Sequence, residues 1–260
     1  MTTLKKALRL GDRGVISLVG AGGKTSLMFR IAAELALAGE SVLTTTTTRI
    51  LMPEPDQSQH VLLAIESEAL IDEAAALLKE FPHLTAAAAR IRSDREKLAG
   101  FAPDFIDEIR RADLFRWIVV EADGAARKPL KAPAPHEPVI PGCTKRLVGI
   151  VGLKCIGKPL TDQWVFRPER YGALTGIPPG APVTAVSVAT AILDRNGIMK
   201  DGPASAEKSV FLNLADEPHR LNSAREIAGL LCSHTGQPPI RRVVIGRALD
   251  DPAVVEVYDG

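Results

Sequence analysis

A short apolar run that passes straight into glycines, a lysine and a threonine constrains this chain more than any other segment. Residues 16–26 read Ile-Ser-Leu-Val-Gly-Ala-Gly-Gly-Lys-Thr-Ser, which predicts a buried strand, a tight turn and the first turn of a helix. Glycines at 20, 22 and 23 allow backbone conformations closed to other residues, so successive N–H groups can converge on phosphate oxygens. The anion then rests on a helix N-terminus. Lys24 is placed to neutralise the β- and γ-phosphates and the Thr25 hydroxyl to ligate Mg²⁺, with Ser26 beside it. The expected ligand is Mg²⁺ with ATP or GTP, held by Gly20, Ala21, Gly22, Gly23, Lys24, Thr25 and Ser26. A usual phosphate loop has four residues between its first glycine and Gly-Lys; here Leu18 occupies that glycine position, so the loop is the shorter Gly-x-x-Gly-Lys-Thr form.

Downstream, strand and helix patterns alternate. Residues 26–38 have helical composition up to Gly39, and 41–43 resemble a buried strand,. An apolar run at 61–65, helical patterns at 68–79 and 103–112, and a strongly buried strand at 117–121 continue the series. Residues 147–151, 209–212, 242–245 and 254–257 read as strands, 184–195 and 218–232 as helices. This alternation predicts an α/β fold, a mostly parallel central sheet flanked by helices in the manner of P-loop NTPases. Pro129, Pro133, Pro135, Pro138 and Pro141 exclude the intervening segment from a central strand. Residues 1–260 are therefore expected to form one nucleotide-binding domain elaborated around 125–180.

Three further constellations carry candidate chemistry. Residues 44–48 are five consecutive threonines at the carboxyl end of the second strand, where α/β sheets gather ligands. Their hydroxyls are candidates for the Mg²⁺ shell or for sensing the γ-phosphate, with Thr46 the candidate metal ligand, although β-branched threonines also simply extend strands. Glu121 and Asp123 end an apolar strand, as a carboxylate that holds Mg²⁺ or orients an attacking water does. If the strand persists they share a face, and with Lys24 they form the candidate catalytic set. Asn213 and Asp216 end a third strand as Asn-x-x-Asp, like the guanine-reading Asn-Lys-x-Asp motif with Leu214 in place of lysine; the same residues are also good helix caps. Arg127, Lys128 and Lys131 could meet phosphate or an acidic substrate, and His136-Glu137 sits between prolines.

Composition narrows the function classes. A formal charge of +1 over 260 residues provides no broad field for nucleic acid, and no basic cluster interleaved with aromatics appears. Cys143, Cys155 and Cys232 lack Cys-x-x-Cys spacing, which suits a reducing compartment rather than structural zinc or disulfides. No run approaches the roughly 20 apolar residues of a membrane span and no apolar leader follows the first residues. A cytoplasmic location is expected.

Taken together, residues 20–26, the threonine run, Glu121-Ala122-Asp123-Gly124-Ala125, Lys131-Ala132-Pro133, His136-Glu137-Pro138 and Val148-Gly149-Ile150-Val151-Gly152 resemble the YqeC family of selenium-dependent hydroxylase accessory proteins, over nearly the whole chain. Phe166-Arg167-Pro168-Glu169 also resembles a family segment. The resemblance implies a P-loop nucleotide-binding protein that assists maturation of selenium-dependent molybdenum hydroxylases, with such an enzyme or its cofactor-maturation proteins as partner. The first expectation is thus a slow NTPase accessory protein. The phosphate loop alone is also similar to that of the Mur ligases, and an ATP-dependent ligase or kinase activating a small acid, with Lys128, Lys131 or His136 at the acceptor, is a second expectation. The third is a nucleotide-gated binding module without turnover.

Overall fold

The computed structural model describes residues 2–92, 96–236 and 239–260. After a short helix, α1 (Leu4–Ala7), the chain enters β1 (Gly14–Gly20), and α2 (Lys24–Leu37) starts directly after the glycine turn. Strand β2 (Val42–Thr46) is followed by two short strands, β3 (Arg49–Leu51) and β4 (Val61–Leu63), and by α3 (Ser67–Leu77). Next come β5 (His83–Ala87), β6 (Ala89–Ile91), β7 (Lys97–Ala99), α4 (Pro103–Arg111) and β8 (Trp117–Glu121). The proline-rich stretch holds β9 (Leu130–Lys131); β10 (Thr144–Gly152), β11 (Val165–Phe166), α5 (Pro168–Thr175) and α6 (Ala185–Leu193) follow. The chain closes with β12 (Glu207–Asn213), α7 (Pro218–Cys232), β13 (Ile240–Gly246) and β14 (Val254–Asp259).

Nine strands form one sheet in the order β14-β13-β12-β10-β1-β8-β2-β5-β4. Every pairing in it is parallel except β13 with β14, so the α/β fold with a mostly parallel sheet flanked by helices is the one observed. Parallel strands are covered on both faces, and β1, β2 and β8 are buried throughout. Alternation sorts their side chains into two cores: Ile16 and Leu18 pack with Leu27 and Ile31 of α2, whereas Val15 and Val19 join Ile106 of α4 and Ile227 of α7. The chain crosses from β8 past β1 to β10, so the sheet reverses its direction of growth at the strand that feeds the glycine turn. Such a reversal leaves a crevice at the carboxyl ends of the strands.

Strand β5 is absent from the sequence reading because Leu84-Thr85-Ala86-Ala87 is half alanine, a poor strand former. Its position between β2 and β4 decides the matter. The proline-rich segment stays outside the main sheet as expected, and β9 pairs only with β11. A separate three-stranded sheet, β3-β7-β6, was not anticipated.

At the start of β5, His83 Nε2 lies 2.9 Å from Thr44 Oγ1. Burial lowers the imidazole pKa from 6.5 to about 4, so the folded state disfavours the charged ring. Its contribution to stability is complete above pH 6.5 and is lost as pH falls from 6.5 toward 4,. His83→Gln is expected to flatten the loss of urea stability over that interval relative to wild type; parallel pH profiles would refute this assignment.

Candidate functional site

The glycine turn is locked from both sides. Gly20, Gly22 and Gly23 have φ of 95°, 85° and 127°, a region that side chains rarely adopt. The Ala21 N–H donates to Ile150 O at 2.8 Å. A Cβ on Gly22 would lie 2.5 Å from Gly152 Cα and 2.7 Å from Pro129 O, so three backbone segments meet there. No side chain caps α2, whose N-cap is Gly23. Its leading N–H groups belong to the cleft wall formed by Gly22, Gly23, Lys24, Thr25 and Ser26.

Lys24 is 4% exposed. Its Nζ donates to Gly20 O at 2.7 Å and lies 3.1 Å from Asp123 Oδ1 and 3.8 Å from Glu121 Oε1. Burial alone pushes this ammonium group down, but the Asp123 and Glu121 charges outweigh it and hold its pKa above the ordinary lysine value. Thr25 Oγ1 donates to Glu121 Oε2 at 2.6 Å. Burial pushes the Glu121 carboxyl up, against the pull of Lys24 and Thr25. Thr25 and Glu121 thus bring two hard oxygens together at the helix N-terminus, which fits Mg²⁺ provided phosphate and water complete its shell. Among the described residues no group of three or more His, Cys, Asp or Glu is gathered to hold a metal by itself.

Asp123 departs from its expected place. Strand β8 ends at Glu121, so the alternation that would put both carboxylates on one face does not continue. Asp123 is fully buried beneath the turn; its Oδ2 accepts from the Gly20 N–H at 3.0 Å and lies 3.0 Å from Lys131 Nζ. Lys131 Nζ also donates to Gly124 O at 2.6 Å and to Glu137 Oε2 at 2.7 Å. Arg167 closes the series with a two-pronged contact to Glu137 at 2.8 and 3.0 Å. Burial would raise the Glu137 pKa, yet Arg167 and Lys131 together bring it down to about 2. Lys131, Glu137 and Arg167 were not singled out as a unit by sequence. The motifs His136-Glu137-Pro138 and Phe166-Arg167-Pro168 were the signal, but His136 itself is exposed and off the cleft.

The threonine run is internal structure for the most part. Thr44 Oγ1 lies 2.7 Å from Thr85 Oγ1, and Thr45 Oγ1 donates to Ala86 O at 2.8 Å. Thr46, expected at the metal, is fully buried; its hydroxyl donates to Glu121 O at 2.7 Å and accepts from the Thr48 N–H at 3.0 Å. Its proton serves the Glu121 carbonyl, its oxygen faces the Thr48 N–H and the Thr48 hydroxyl at 3.3 Å, and it does not line the cleft, so it is not placed to meet a cation there,.

Asn213 joins the third constellation to the turn. Its Nδ2 donates to Gly22 O at 2.8 Å and its Oδ1 accepts from the Ala248 N–H at 2.9 Å. Asp216 lies on the same cleft and pairs with Arg220 at 2.9 Å. Nearby, the buried Arg247 Nε has no hydrogen-bond partner, with Asp250 Oδ2 at 3.7 Å. The cleft spans about 1820 Å³ and is bordered by the loops after β2, β8, β10, β12 and β13. Burial pushes the Cys143 and Cys155 thiols up to about 12, and burial also raises Cys232.

The family described as YqeC protein matches residues 16–169, more than half of the sequence. The chain belongs to the YqeC family. The matched span runs from β1 to the start of α5 and includes Lys24, Glu121, Asp123, Lys131, Glu137 and Arg167. A protein of Escherichia coli (strain K12), described as uncharacterized protein YqeC, is 28% identical over 244 residues, covering 94% of this chain and 91% of that one. Among solved structures, FtsY from Mycoplasma mycoides aligns with a TM-score of 0.39 and 10% identity over 95% of this chain and 63% of that chain. Succinoaminodeoxyadenylate synthetase (PurZ) of cyanophage S-2L, bound to dGMP and dATP, aligns with a TM-score of 0.39 and 14% identity over 96% of both chains. Among the described residues no helix is long and apolar enough to cross a membrane.

Removing one member of a buried ion series strands its neighbours. Lys131→Met is therefore expected to destabilise the fold by about 3–5 kcal/mol in urea unfolding. A loss under about 1 kcal/mol, the scale of an exposed pair, would show that Asp123 and Glu137 do not depend on it.

Proposed function

We propose that this protein binds a Mg-nucleoside triphosphate on the turn at residues 20–26 and hydrolyses it slowly. The observation that carries this reading is the Thr25–Glu121 contact of 2.6 Å beside an uncapped helix N-terminus, the pairing of donors that a phosphate-bound Mg²⁺ needs. Thr25 and Glu121 would hold the metal, which when bound supplies positive charge to the β- and γ-phosphate oxygens. The N–H groups from Gly22 to Ser26 would bind phosphate oxygens. Lys24 would exchange its contacts with Gly20 O and Asp123 for the phosphates, and Asp123 would then keep Lys131 and the Gly20 N–H. Glu121, which lines the cleft, is the carboxylate available to orient an attacking water at the metal,. Asn213 would hold the turn in place, while Asp216 and the unpartnered Arg247 Nε would face the base and ribose.

The resemblance to selenium-dependent hydroxylase accessory proteins supports a role in maturing such a molybdenum enzyme in the cytoplasm, with nucleotide state controlling the partnership. The ligase or kinase reading loses two of its three acceptor candidates, because Lys131 is enclosed in the ion series and His136 lies off the cleft. A nucleotide-gated module would share the binding site and differ only in lacking turnover.

Calorimetric titration with Mg-ATP and Mg-GTP is expected to show binding of at least one nucleotide by wild type and a loss of about tenfold or more in Lys24→Ala. No heat with either nucleotide would remove the proposal. Asp216→Ala is expected to lower the GTP/ATP affinity ratio by about tenfold; an unchanged ratio would show that this carboxylate does not read the base.

A further inference from the structure

Strand order divides the cleft. β12 and β13 lie on one side of β1 and bring Asn213, Asp216 and Arg247 to one end; β8 and β2 lie on the other side. At that second end the wall is built from residues 124–129, after β8; Pro129 O accepts from the Gly152 N–H at 2.9 Å, so this wall reaches across the turn to the loop after β10, on the other side of β1, which carries Lys154. The whole cleft, at about 1820 Å³, exceeds the roughly 300–1,000 Å³ of a pocket for one small molecule. A nucleotide whose phosphates lie on the turn and whose base lies toward Asp216 leaves the second end open.

The chemistry of that end is cationic. Arg127 and Lys128 line it and Lys154 flanks it from the loop after β10, and among the described residues none of the three has a carboxylate within ion-pair distance; Lys128 Nζ reaches only the Gln163 carbonyl, at 3.4 Å. Arg49 and Lys97 also face the cleft, but Glu54 and Glu96 accompany them and leave little net charge there. The turn that carries Arg127 is strained: Ala126 and Arg127 have successive φ values of 46° and 58°, a conformation that persists only where surrounding structure imposes it and that clusters at ligand sites. The imposing contacts are present. The Lys128 N–H donates to Ala125 O at 2.9 Å, and Pro129 O accepts from the Gly152 N–H at 2.9 Å, which fixes this turn against Gly22.

We propose that this end of the cleft binds a second ligand, a small molecule bearing a phosphate group, held by Arg127, Lys128 and Lys154 next to the terminal phosphate of the nucleotide. An arginine fork with two ammonium groups matches the charge and oxygen geometry of a phosphate. That the ligand is a second one rests on the nucleotide reading; the anion site itself does not.

Inorganic phosphate titrated calorimetrically into the full chain, saturated with a non-hydrolysable Mg-nucleotide, reads this site alone. The expected result is one saturable binding event, weakened about tenfold in R127N/K154Q, a pair in which asparagine tolerates the left-handed backbone at 127. Nucleotide affinity of that variant should change by less than about twofold. Absence of phosphate binding to the loaded wild type, or equal binding by the variant, overturns the site. A large loss of nucleotide affinity in the variant also overturns it, because the cations would then belong to the nucleotide. Should neither ATP nor GTP bind, the same titration on K24A separates the two failures. Phosphate binding that persists in K24A and disappears on adding R127N/K154Q keeps the anion site without the nucleotide reading; no binding removes both.

Discussion

Beneath the glycine turn, the Asp123 carboxylate receives the Gly20 N–H and stands 3.1 and 3.0 Å from the ammonium groups of Lys24 and Lys131. Taking such charges out of water is expensive unless each meets an opposite one in good geometry. The chain supplies each with an opposite charge by alternation, running Glu121, Lys24, Asp123, Lys131, Glu137, Arg167 from the cleft floor to the start of α5, with Asp123 Oδ1, 3.1 Å from Lys24 Nζ, left without a hydrogen bond. Since the signs alternate, displacing one member unbalances the next. An anion that draws Lys24 away would leave Asp123 relying on Lys131, and Lys131 is shared with Glu137. The glycine turn and the proline-rich segment are therefore one electrostatic unit, although about 100 residues of sequence separate them,.

The architecture makes this unit possible. Parallel strands deliver their following loops to one edge of the sheet, and the reversal at β1 places the turn between the loops after β8 and β10. Asn213, at the end of the next strand over, ties Gly22 to Ala248 and so links the turn to the loop after β13. The proline-rich segment cannot donate a regular ladder of N–H groups, and it is used instead as a rigid backing whose carbonyls meet the turn at Pro129 and whose carboxylate at Glu137 completes the ion series.

What was legible in the sequence was local. The run from Ile16 to Ser26 declares strand, turn and helix within one short window, so Lys24 and Thr25 could be placed without knowing the rest. Glu121 was legible because β8 is a continuous apolar run. Asp123 has the same composition cue, yet its carboxylate goes under the loop rather than into the cleft, a choice set by Lys131, which only the tertiary fold brings near. Thr46 failed as a metal candidate for a related reason. A threonine at a strand end offers a hydroxyl to whichever acceptor is closest, and here it is the Glu121 carbonyl on the adjoining strand. In the pair His136-Glu137 the histidine draws attention, but the acid carries the interaction because Arg167, arriving from another loop, needs a carboxylate. Strand β5 was illegible because its alanines owe their conformation to neighbours on either side.

The meeting of Gly22, Gly152 and Pro129 has a consequence for how this sequence can vary through descent. Crowding in a core is often relieved when a neighbouring side chain becomes smaller, so that one substitution is rescued by another. At this junction a Cβ on Gly22 would meet Gly152 Cα at 2.5 Å, and one on Gly152 would meet Gly22 Cα at 2.9 Å. Each residue is already as small as an amino acid can be, and the third party is a main-chain carbonyl. Neither position has a partner that can yield, so the junction admits no compensating pair, and lineages can change the walls of the cleft freely only by leaving this point untouched.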